Sequence, residues 1–105
     1  MEKGNIYTKI PEDLRKEIFE VLVQSGKIKI ERILSKGHTS PDSGWYDQGQ
    51  DEWVIVLKGN ASISFEEGPI IDLEEGEYIN IPAHKRHRVV NTSVVPETVW
   101  LAVHY

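Results

Sequence analysis

The stretch GEYINIPAHKRHRVVN, residues 76–91, decides how this chain is read. It sets Gly76, Pro82, His84, His87 and Asn91 at fixed intervals, with a short apolar alternation on either side of the Pro82–Arg86 turn. Glycine and proline break regular structure, and the runs between them are short and alternating, so Tyr78–Ile81 and His87–Val90 read as two strands joined by a tight turn. The chemical question is whether His87 holds a metal, holds a ligand, or packs.

The same rhythm continues outward. Trp53-Val54-Ile55-Val56-Leu57 is apolar on both faces and ends at Lys58-Gly59-Asn60, a strong turn signal. Ala61, Ile63 and Phe65 alternate with Ser62 and Ser64 to make its partner. Glu67-Gly68-Pro69 turns into Ile70–Leu73, Lys27–Glu31 alternates strictly, and Thr98–Tyr105 gives a last strand. Short strands at this spacing predict a small antiparallel barrel or sandwich. Only the N-terminus breaks the pattern. Pro11-Glu12-Asp13 is a good helix opening, Leu14, Ile18, Val21 and Leu22 recur at three- and four-residue steps, and Ser25-Gly26 is a helix stop. The expectation is one helix near residues 11–24, within a strand and helix extension over residues 1–27, followed by a barrel over 28–105.

A chain of 105 residues has room for one domain and one modest core. It has no cysteine, which excludes disulfides, thiolate zinc sites and a cysteine nucleophile. Twelve basic against seventeen acidic residues give a net charge of −5, which offers a polyanion no help. The one basic cluster, Lys85, Arg86 and Arg88, lies in a turn and reads as a solvated loop, so no nucleic-acid partner is expected. No apolar run approaches a membrane span, and charges interrupt the first 30 residues where a signal peptide would be apolar. A soluble cytoplasmic protein with no membrane partner is expected.

The spacing Gly76-x5-Pro82-x-His84-x2-His87-x3-Asn91 resembles the second cupin motif, with His84 where that motif has glycine. Upstream, Glu52-x6-Gly59 is similar to the second half of the first cupin motif. Sixteen residues separate Gly59 from Gly76, short even for a compact cupin. WYDQ, EWV, IPAH, HRV and WLAVHY, in this order, resemble a group of small single-domain cupins. The resemblance implies a double-stranded β-helix, or jelly-roll, and a metal held by three histidines and a glutamate. Here it keeps only Glu52 and His87, since Tyr46 and Gln48 stand where the other two histidines would be. Imidazole suits transition metals better than an amide or a phenol does.

On a strand, Glu52, Val54 and Val56 share one face while Trp53, Ile55 and Leu57 share the other. If the resemblance holds, Glu52, His87 and Asn91 point inward, with Tyr46, Gln48, Trp100 and His104 around them. The expected site is therefore Gln48, Glu52 and His87 as metal ligands, for Zn, Mn, Fe or Ni, in a pocket walled by Tyr46, Trp100 and His104. No organic cofactor is expected. Each residue has a simpler role open to it: Glu52 and His87 as a buried acid–imidazole pair, His84 as a turn residue, His104 as a core partner, and His38 as an exposed loop residue. The outward stripe of Trp53, Ile55 and Leu57 needs a cover, either the N-terminal segment or a second subunit, so a homodimer is expected. Three functions fit: a metal-dependent isomerase or dioxygenase acting on a small polar metabolite, a non-catalytic binding or sensing module, and a dimerising structural protein with a vestigial site.

Overall fold

The computed structural model describes all residues, 1–105, and contains eight strands and no helix. They are β1 (Ile18–Ser25), β2 (Ile28–Ser35), β3 (Glu52–Lys58), β4 (Ala61–Phe65), β5 (Ile70–Leu73), β6 (Tyr78–Ile81), β7 (His87–Thr92) and β8 (Thr98–His104). One sheet has the order β1-β2-β8-β3-β6, and the facing sheet has the order β5-β4-β7. The chain changes sheet between β3 and β4, and again between β5 and β6, β6 and β7, and β7 and β8. That path makes an all-β jelly-roll barrel.

The expected helix is absent, and its second half is β1. The residues Ile18-Phe19-Glu20-Val21-Leu22-Val23 are rich in β-branched and aromatic side chains, which suit a pleated surface. β1 pairs with β2 from Ser25 opposite Ile28 to Ile18 opposite Leu34. Gly26 opens the two-residue hairpin turn at φ 58°, a conformation glycine adopts without strain. A register shift between Val21 and Val23 marks a bulge at Leu22. The three- and four-residue spacing that suggested a helix is therefore an accident of alternation interrupted by one extra residue.

The core lies between the sheets and follows strict alternation. Val54, Val56, Trp100 and Ala102 from one sheet meet Ala61, Ile63 and Phe65 from the other, all buried. Burying each of the larger aliphatic side chains contributes about 1.5–3 kcal/mol. A second, smaller cluster of Leu14, Leu34 and Val99 sits on the outer face, with Ile10, Ile18 and Leu57 packed against it. The N-terminal segment thus covers the Leu57 end of the outward stripe, without being a helix. At the other end Trp53 packs on Tyr78, ring centroids 5.3 Å apart. Arg32, 3% exposed, fastens the segment down by donating to the carbonyls of Ile6 at 3.1 Å and Thr8 at 2.6 Å, and it pairs with Glu20 at 3.2 Å.

Gly59 carries the chain from β3 to β4. Its φ is 82°, and a Cβ there would lie 2.3 Å from Ser93 Oγ and 2.9 Å from the Glu97 carbonyl. A left-handed backbone alone costs a residue with a side chain about 1–2 kcal/mol, and the contacts add to it. Gly59→Ala should therefore lower the chemical-denaturation midpoint by more than the left-handed cost alone, whereas Gly4→Ala, with open space around it, should not. Equal midpoints for the two variants would refute this role for Gly59.

Candidate functional site

Strand alternation sends one row of side chains from the five-stranded sheet into the barrel. Glu52 on β3 stands opposite His104 on β8, and Glu31 on β2 stands opposite Ala102. From the facing sheet β7 contributes His87, opposite Phe65 on β4. The loop after β2 returns to pair Tyr46 with His87 through two backbone hydrogen bonds, Tyr46 N–H to the His87 carbonyl at 2.8 Å and the reverse at 3.2 Å. Around these residues is a cavity of about 130 Å³.

The structure places Gln48, Glu52, His87, Tyr46, Trp100 and His104 all on the wall of this one cavity. His87 is buried and faces Glu52, with Nε2 3.6 Å from the carboxylate. Its Nδ1 lies 2.8 Å from the Lys85 carbonyl, which can only accept, so Nδ1 carries the proton in the neutral ring. Nε2 is thereby turned to Glu52. Burial pushes the His87 pKa down, but the Glu52 carboxylate and the Lys85 carbonyl outweigh it and hold it above the usual 6.5. Tyr46 and Phe65 flank the imidazole, with ring centroids at 5.8 and 6.1 Å.

A second acid–imidazole pair, Glu31 with His104, lines the same cavity at an oxygen–nitrogen distance of 2.8 Å. Both residues are buried. Glu31 and its partner are 73 positions apart, and no local pattern joins them. The available signal was the alternation of Glu31 with Ile33 and Ser35, which share the inward face. Trp100 donates its indole N–H to Ser35 Oγ at 3.1 Å, and Ser35 in turn bonds Glu17, so the N-terminal segment also reaches the wall.

Two expectations need correction. Asn91 does not point inward: the register shifts between Ser62 and Ile63, a bulge at Val90 reverses the alternation, and Asn91 is exposed while Thr92 is buried. His38 is a half-buried clasp, accepting from the Lys36 N–H at 2.8 Å and bonding the Arg15 carbonyl at 3.0 Å. His84 does occupy the turn. It takes φ 63°, the left-handed conformation that suits a glycine, and its ring bonds Asp47 at 2.8 Å rather than the cavity.

A catalytic transition-metal site ordinarily presents three protein ligands. Nowhere do three histidine, cysteine, aspartate or glutamate side chains gather so as to hold an ion. Glu52 and His87 are the two strong donors, Gln48 adds a neutral amide, and Glu31 and His104 are bonded to each other. This donor set does not fit the centre of three histidines and a glutamate that the sequence resemblance implies.

The family model for the cupin domain matches residues 30–104. The chain belongs to the cupin family. Among solved structures it is similar to a proposed mannose-6-phosphate isomerase from Ralstonia eutropha JMP134, at 43% identity and a TM-score of 0.95, over 99% of this chain and 97% of that one. A cupin superfamily protein from Desulfitobacterium hafniense DCB-2 matches at 22% identity and TM-score 0.74, over 90% and 82%. An RmlC-like cupin with a double-stranded β-helix fold from Methanocaldococcus jannaschii matches at 17% and 0.70, over 91% and 85%. These last two show the fold alone. Among curated proteins nothing matches. No helix of this cupin is long and apolar enough to cross a membrane.

The raised pKa gives a signed expectation. Stability contributed by the protonated His87 is fully present below the unfolded value and is lost as pH rises through the higher folded value. Glu52→Gln removes the opposing charge and leaves burial in place, so the His87 midpoint followed by NMR should fall below that of the wild type. A midpoint unmoved by Glu52→Gln would dissociate the two residues.

Proposed function

We propose that this cupin binds a small polar metabolite in the barrel cavity and that His87, backed by Glu52, moves a proton on it, as an isomerase does. The observation that supports this most is the orientation of His87. One ring nitrogen is fixed by the Lys85 carbonyl, and the other is turned to a carboxylate at 3.6 Å on the wall of a cavity. A buried imidazole with a pKa raised toward working pH suits a proton donor and acceptor. The similarity to a proposed sugar-phosphate isomerase agrees with proton transfer next to a carbonyl.

The test is hydrogen exchange in D2O. Dihydroxyacetone, glyceraldehyde and mannose are incubated with the protein, and deuterium entering the carbon beside the carbonyl is followed by NMR. Exchange above the buffer rate, reduced roughly 10²- to 10⁴-fold by His87→Ala, supports the proposal. Binding without exchange makes the protein a binding or sensing module. Absence of both binding and exchange would leave a structural protein with a vestigial site. The metal-dependent alternative, with Gln48, Glu52 and His87 as ligands, has its own readout: added Mn, Ni or Zn should raise the thermal midpoint of the wild type and not of His87→Ala.

A cytoplasmic homodimer is part of the proposal. Phe19, Val21, Leu22 and Val23 are 42–54% exposed on β1, whose outer edge has no partner strand. A long apolar edge invites pairing with another strand. Light scattering should give about twice the 12.0 kDa chain mass, and Val21→Lys should shift the protein toward monomer. A monomer at micromolar concentration would rule the dimer out.

A further inference from the structure

We infer that the barrel cavity selects a small ligand rich in hydrogen-bond donors and free of negative charge, and that it rejects phosphorylated sugars. The inference rests on taking this cavity as the ligand site and adds the substrate class to that reading. It follows from the charges that face the space. Glu17, Glu31 and Glu52 line the cavity, and no lysine or arginine does. His87 and His104 are the two lining groups that can carry positive charge, against three carboxyl groups. A phosphate entering it would lose its water, find no lysine or arginine and face more carboxyl groups than imidazoles.

Arg86, Arg88 and Lys85 are committed outside the cavity. Arg86 pairs with Glu66 at 2.7 Å and lies 4.0 Å from Asp47. Arg88 donates to the Asp42 carbonyl at 2.6 Å and stacks over the Trp45 ring at 4.5 Å. Lys85 sits over the Phe65 ring at 6.0 Å, outside the cavity. Lys29 lines a neighbouring pocket rather than this cavity, and lies 4.0 Å from Glu31. What the wall offers a ligand is carboxylate acceptors, beside imidazoles and the Gln48 amide, which can accept or donate. The carboxylates match hydroxyl or amine donors. Size points the same way. The cavity's 130 Å³ is close to a space that holds about six non-hydrogen atoms, as benzene fills one of about 150 Å³. A triose fills that volume, and a hexose phosphate is more than twice as large.

Matched pairs isolate the phosphate. Dihydroxyacetone and mannose, their phosphates, and inorganic phosphate are titrated into the full chain while the Trp100 indole N–H is followed by NMR. The expected result is saturable binding of dihydroxyacetone, with dihydroxyacetone phosphate at least tenfold weaker and inorganic phosphate without effect. In Glu17→Gln/Glu31→Gln, where both amides keep the size of the acids, that preference should shrink to less than threefold. Should the double variant fail to fold, Glu17→Gln alone, at a half-buried position, should at least halve the preference. A phosphorylated probe that binds as well as its parent overturns the inference and leaves the cavity standing as the ligand site. A preference that survives the substitutions unchanged also overturns it. If no probe binds, the inference and the reading of the cavity fail together.

Discussion

The register of β8 between β2 and β3 is the constraint on which the rest of this cupin depends. It places His104 opposite Glu52 on one side and Lys29 on the other, which brings Glu31 within 2.8 Å of the imidazole. Because side chains alternate with a period of two, a slip of one residue would turn Trp100, Ala102 and His104 to the outer face together. The core would lose its largest side chain and the cavity would lose a wall at the same moment. Packing and site are therefore fixed by one set of backbone hydrogen bonds.

Much of this was legible in the sequence because it was written in short-range signals. Gly59, Gly76 and the proline turn bracket the strands, and the two motif spacings name Glu52 and His87. The N-terminal error has a definite cause. Leu14, Ile18, Val21 and Leu22 satisfy a helical period, but Leu14 belongs to the outer cluster, Val21 to β1, and Leu22 is the bulge between them. A bulge adds one residue to an alternating pattern, and the sum imitates a period between three and four. The same device hid the direction of Asn91. The pair of Glu31 and His104 was out of reach for another reason: nothing local distinguishes a buried glutamate from an exposed one until its partner strand is known.

His84 shows how a motif position can change its residue and keep its backbone. The turn requires a left-handed conformation, which glycine adopts without strain and histidine with some. The ring recovers part of that cost through Asp47, and the backbone N–H of His84 binds the Gln48 carbonyl at 2.8 Å. The substitution therefore ties the β6–β7 turn to the loop that carries Tyr46 and Gln48. Two cavity walls from different parts of the chain are coupled at this point.

β2 has no free face from Glu31 onward. From Glu31 to Ser35 every residue is buried, alternately beneath the cavity and beneath the N-terminal segment, with Arg32 clasping that segment from below. Its neighbour β1 is exposed along nearly its whole length. The two strands of one hairpin therefore have opposite capacities for sequence drift. The buried half of β2 can accept change only in concert with the core or the clasp, whereas β1 is bound mainly at Ile18, Phe19 and Glu20, which meet the outer cluster, the cavity and Arg32. Diversification of this cupin has room along β1 from Val21 onward, where the strand meets neither cavity nor clasp.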